Sequence, residues 1–64
     1  MTLQKLLLKL SKNKDYSVKC FCSDGICHIT IEEYWYHREE IRVTINLTEE
    51  LQEEDIEKLT PYFG

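Results

Sequence analysis

Cys20, Cys22, Cys27 and His28 fall within nine residues, and thiolates and imidazole at close spacing are the side chains that hold soft metal ions. Their pattern, C-x-C-x4-C-H, differs from the paired knuckles of structural zinc sites. Alternation along this stretch puts the three cysteines on the apolar side of a strand pair and His28 on the other. Free cysteine is among the most buried residue types, so core packing is the expected role and no metal ligands are assigned. Cys22 and Cys27 fall opposite each other and could join on oxidation. The odd number of cysteines is unlike a secreted disulfide framework and makes a reducing cytosol the expected compartment.

Catalysis finds no comparable group. Neither His28 nor His37 has a nucleophile or an orienting acid that the sequence would bring beside it. With only Gly25 and Gly64 there is no glycine-rich phosphate loop. A chain of 64 residues has little material for a water-excluding pocket. The expectation is a protein that is not an enzyme, with no catalytic or cofactor-binding residues and no cofactor.

The carboxylates carry the stronger signal. Residues 1–19 hold five lysines against Asp15, a balance of +4, while the remainder holds Arg38, Arg42 and Lys58 against eleven carboxylates, a balance of −8. Glu49, Glu50, Glu53, Glu54, Asp55 and Glu57 crowd the last helix-like stretch against Lys58 alone. First-turn acids favour the positive end of a helix, which accounts for Glu49 and Glu50 if Thr48 is the cap. In that helix Glu49/Glu53, Glu50/Glu54 and Glu53/Glu57 are like-charge i, i+4 pairs, each unfavourable by about 0.2–0.5 kcal/mol. Only Glu54/Lys58 offsets them. Concentrated negative charge that opposes folding points to a basic partner.

These residues need a scaffold, and its elements follow from periodicity. Thr2 caps a helix to about Asn13, with Leu3, Leu6, Leu7 and Leu10 in one stripe and Lys5, Lys9 and Lys12 opposite. From Tyr16 the period is two, and Asp24-Gly25 is a two-residue hairpin turn of the I′ kind. That turn pairs Ser23 with Ile26, Cys22 with Cys27, Cys20 with Ile29 and Val18 with Ile31. A third strand carries Ile41, Val43, Ile45 and Leu47 inward. Past Ile31 the parity leads to Glu33 and Trp35, and a bulge near Glu32-Glu33 would instead turn Tyr34 and Tyr36 inward. The register after Glu32 stays open between these two, and His37-Arg38-Glu39-Glu40 is read as the loop tip. Thr48 caps a final helix ended near Thr60 by Pro61, with Leu51, Ile56 and Leu59 inward and Glu50, Glu53, Glu54 and Glu57 outward.

The fold class is therefore α+β: a single small domain over residues 1–64, α-β-β-β-α, with a three-stranded antiparallel meander packed by helices. The apolar fraction of 42% fits a packed domain. No membrane span is expected, because the longest aliphatic run is Leu6-Leu7-Leu8. Lysines interrupt the apolar N-terminus, unlike a signal peptide. The same element order occurs in double-stranded RNA-binding domains, but those need a basic face, so no direct nucleic-acid binding is expected.

The stretch Asn13-Lys14-Asp15-Tyr16-Ser17-Val18-Lys19, at the exit of a leucine-rich helix, resembles the helix-to-strand junction N-K-D-Y-T-V-K of a small phage-encoded type II-A anti-CRISPR family. The resemblance spans roughly residues 1–45 and thins after the first strand. Its members are acidic DNA mimics that block PAM recognition by the RNA-guided type II effector nuclease, which reads guanines through arginine forks. The resemblance implies that Asp15 belongs to a contact surface and that Glu40 lies in the equivalent second-hairpin region. It also implies a guide-RNA-loaded type II CRISPR effector nuclease as partner, in the host bacterial cytosol. This chain lacks the family's Asn/Asp/Gly-rich loop there, is shorter, and is expected to lack a second C-terminal helix. Asp15, Glu39, Glu40, Glu50, Glu53, Glu54 and Glu57 are the expected partner-binding residues, paired with basic groups of the nuclease. The competing expectation is a regulatory or interaction protein that binds a protein partner through exposed aromatics around Tyr34-Trp35-Tyr36, without DNA mimicry.

Overall fold

A computed structural model describes residues 1–64. Helix α1 spans Leu3–Ser11, two residues shorter than its stripe suggested, and the Thr2 hydroxyl accepts the Lys5 N–H at 3.2 Å to cap it. Leu6 and Leu10 on its inner side are fully buried.

Strands β1 (Tyr16–Ser23), β2 (Ile26–Glu33) and β3 (Glu39–Asn46) form an antiparallel sheet in that order. Asp24 and Gly25 take φ of 53° and 77°, the two left-handed residues that a I′ turn requires. That turn sets the β1–β2 register throughout, with all four expected pairs present. Both helices lie over one sheet face, and Leu6, Leu10, Ile29, Ile31, Val43, Ile45 and Leu59 form the core. Each such aliphatic side chain, when fully buried, contributes about 1.5–3 kcal/mol. The opposite face is uncovered and carries Phe21, 68% exposed, and the Thr44 hydroxyl 3.3 Å from His28 Nδ1.

The unbulged register continues through the Tyr16–Glu33 pair and ends there, so Trp35 is not carried inward by parity and Tyr34 and Tyr36 are not turned inward by a bulge in β2. β2 stops at Glu33, and Tyr34, Trp35, Tyr36 and His37 make the connection to β3. The Glu33 N–H bonds the Arg38 carbonyl at 2.8 Å, the His37 N–H bonds the Glu33 carbonyl at 2.9 Å, and His37 takes a φ of 56°. The loop tip is thus aromatic, and Glu39 and Glu40 already belong to β3. The bulge exists but on the other strand: Ile31 pairs with Ile41 and Glu32 with Glu39, leaving Glu40 as the extra residue. Glu33 keeps inward parity at the sheet end, where the Arg38 guanidinium pairs with it at 3.1 Å. On the open face the half-buried Glu32 carboxylate has no well-aligned hydrogen bond at Oε1, and the Lys19 ammonium holds that oxygen at 3.2 Å.

The cysteines also depart from expectation. Cys27 is fully buried, but Cys20 and Cys22 are exposed, because they sit toward the hairpin end of edge strand β1. Cys22 and Cys27 are joined as a disulfide across the pair, and Cys20 is free.

The second helix starts later than Thr48. The Asn46 side chain accepts both the Thr48 N–H (2.9 Å) and its hydroxyl (2.7 Å), a local turn that withdraws Thr48 from capping. Leu47 leaves the strand and is exposed. Helix α2 spans Glu53–Leu59 behind Gln52, and a 3₁₀ turn at Thr60–Tyr62 follows, with Pro61 in its first turn. Tyr62 meets Tyr16 edge-on at 5.0 Å, and the Gly64 N–H bonds the Lys9 carbonyl at 2.9 Å, which docks the C-terminal segment on α1. No helix is long and apolar enough to cross a membrane.

Candidate functional site

Asp15 sits where α1 hands over to β1, and local hydrogen bonds fix its backbone. Asn13 Oδ1 accepts the Asp15 N–H at 3.0 Å, forming an Asx turn, while Asn13 Nδ2 donates to the Phe63 carbonyl at 3.4 Å. The Asp15 carbonyl accepts the Tyr34 N–H at 3.0 Å, which ties the junction to the aromatic loop. Asn13 and Tyr16 are thereby occupied by the fold, and the Asp15 carboxylate, the one acidic group of this motif, is left exposed and free of ion pairs.

Asp15 and Glu40 line one shallow depression together with Tyr16, Glu33, Trp35 and Arg38. Trp35 is 78% exposed, and its ring meets Tyr34 edge-on at 5.3 Å. The bulge at Glu40 turns β3 here, so acid and aromatic share one end of the sheet. Arg38 was not among the expected contact residues, and Trp35 belonged only to the competing aromatic reading. The I′ turn already contained the signal, since its register extended to the strand's start sets Asp15 opposite Tyr34.

Of the expected contact acids, Glu39 and Glu54 are ion-paired, to Arg42 at 2.8 Å and to Lys58 at 3.5 Å. Asp15, Glu40, Glu50, Glu53 and Glu57 are exposed and form no ion pair. They do not make one patch. Glu50 lies near the start of α1, lining a depression with Thr2, Leu3 and Leu47, at the opposite end of the sheet from Asp15 and Glu40. Helix α2 runs between these ends, carrying Glu53, Glu54 and Glu57.

The late start of α2 changes the account of the acidic run. Glu49 and Glu50 are outside the helix, so Glu49/Glu53 and Glu50/Glu54 are not helical pairs. Glu53, Glu54 and Asp55 occupy its first turn, where the helix end favours them. Glu53/Glu57 is the one like-charge i, i+4 pair that remains. The α1 lysines flank this surface on the same side of the sheet, and Lys9 stands 5.6 Å from the Phe63 ring centre. No protein family model matches the chain, and no curated protein or solved structure matches it.

Proposed function

We propose that the protein is an anti-CRISPR inhibitor that binds the guide-RNA-loaded type II effector nuclease in the bacterial cytosol and keeps PAM-bearing DNA out by mimicking it. The observation that carries this reading is the pairing of free carboxylates at Asp15 and Glu40 beside one rigidly tied junction. Carboxylates held this way suit the guanidinium forks with which the nuclease grips guanines, since both oxygens can accept parallel N–H donors. Glu50, Glu53, Glu54 and Glu57 extend negative charge away from that end, and Glu39, tied to Arg42, lends its charge more than its geometry. The action is competitive occupation of a binding site, with no bond made or broken. Titration of the protein into guide-loaded nuclease tests it through PAM-duplex affinity. Saturating protein should weaken DNA binding, and unchanged DNA affinity overturns PAM blocking.

The exposure of Trp35, with Tyr34 and Tyr36 beside it, favours a second reading. In it the aromatic loop anchors a protein partner and the surrounding acids only keep the chain dispersed. Trp35→Ala would then abolish capture of the partner while charge reversal at Asp15 and Glu40 would not.

A further inference from the structure

The hairpin cysteines lie outside the surface assigned to the effector. The Cys20 thiol is 3.8 Å from Cys22 Sγ, and the sulfurs of Cys20, Cys22 and Cys27 all lie within 4.8 Å of one another. Two observations make this more than a crowd of thiols. Cys20 and Cys22 are i, i+2 on an edge strand, so both point to the same side, and both are exposed. Cys27 faces Cys22 directly across the ladder, with Cα atoms 4.0 Å apart, so the third sulfur enters from β2. Around a four-coordinate ion with metal–sulfur bonds of about 2.3 Å, adjacent sulfurs are separated by about 3.8 Å. Cys20 and Cys22 already have that separation, and side-chain rotation alone can bring Cys27 to it once the disulfide is reduced.

We propose that the reduced hairpin binds one thiophilic ion of the zinc class through the thiolates of Cys20, Cys22 and Cys27, and that the Cys22–Cys27 disulfide excludes it. The exposed rim leaves the fourth position to water or an external ligand. His28 does not contribute, since it projects from the opposite sheet face toward Thr44. Binding replaces the thiol protons with the metal, so it releases protons. The switch between states is balanced. A low-molecular-weight disulfide takes two electrons from the Cys22 and Cys27 thiolates and two protons from water and leaves as two thiols, while the Cys22–Cys27 bond forms. Two of three ligands are then lost and the ion departs.

The experiment uses the full chain, reduced and kept anaerobic, with Co(II) as the probe and Zn(II) as the competitor. Expected are one-to-one saturation, the intense visible bands of four-coordinate cobalt, sulfur-to-cobalt charge transfer, and displacement by Zn(II). Cys20→Ser, at an exposed position that leaves the core intact, should lower affinity at least about tenfold and remove about a third of the charge-transfer intensity. His28→Ala should change neither. Glutathione disulfide should release the ion and restore the pale spectrum of hydrated cobalt. A pale spectrum from the reduced chain, or a Cys20→Ser spectrum and affinity equal to the parent's, overturns the proposal.

Discussion

Individual side chains here divide between structural and free roles within a single motif. Asn13 spends its carboxamide on the Asx turn and the Phe63 carbonyl, and Tyr16 packs on Tyr62, while the neighbouring Asp15 carboxylate has no ion-pair partner. Charge reversal should therefore separate the two kinds. Asp15→Lys with Glu40→Lys is expected to raise the Kd for the guide-loaded nuclease at least about tenfold, read by calorimetry, with the circular dichroism unchanged. Reversal at Glu53 and Glu57 should act more weakly, because those groups sit away from the Asp15–Glu40 depression. Equal effects at both places would mean that net charge, rather than placement, governs binding.

At the level of elements, Leu59 is the one fully buried residue that α2 contributes, and it anchors a helix of only seven residues. Leu59→Ala should cost about 2–5 kcal/mol, measured from the urea midpoint, and should also loosen the Tyr16–Tyr62 contact. The elements themselves were readable in the sequence because their signals are local. The leucine stripe specified α1, and Asp24-Gly25 specified a hairpin whose whole register follows from one turn. The start of α2 was not readable, since Thr48 is a good cap by type and only the turn it makes with Asn46 holds the chain there out of the helix. The second hairpin failed for a related reason. Parity assumes an unbroken strand, and the hydrogen bonds that Glu33 donates to the Arg38 carbonyl and accepts from the His37 N–H end the strand before the aromatics. Cys20 and Cys22 obey the alternation that was read for them, yet the face they share extends past the edge that the helices cover. The acids of the candidate site were legible as residues and not as a surface, because their grouping depends on that loop and on the late helix.

For the molecule as a whole, charge and shape act together. Its long axis is 34 Å, with free acids near both ends and the lysines of α1 alongside. Association driven by this field should slow by an order of magnitude or more as salt rises from low to several-fold physiological ionic strength, in stopped-flow measurements with the nuclease. A nearly flat salt profile together with loss of binding in Trp35→Ala would instead mark the aromatic loop as the anchor. The sheet brings a separate hazard, because β1 and β3 each pair on one side only. An open strand invites a second copy to add on and begin a growing stack. The extra residue at Glu40 breaks the regular spacing of donors and acceptors along the β3 flank and sets a charge there. Deleting Glu40 should restore an even ladder and yield concentration-dependent light scattering that the parent lacks. The residue proposed to meet the partner would then also be what keeps neighbouring copies from polymerising when the chain is made in quantity.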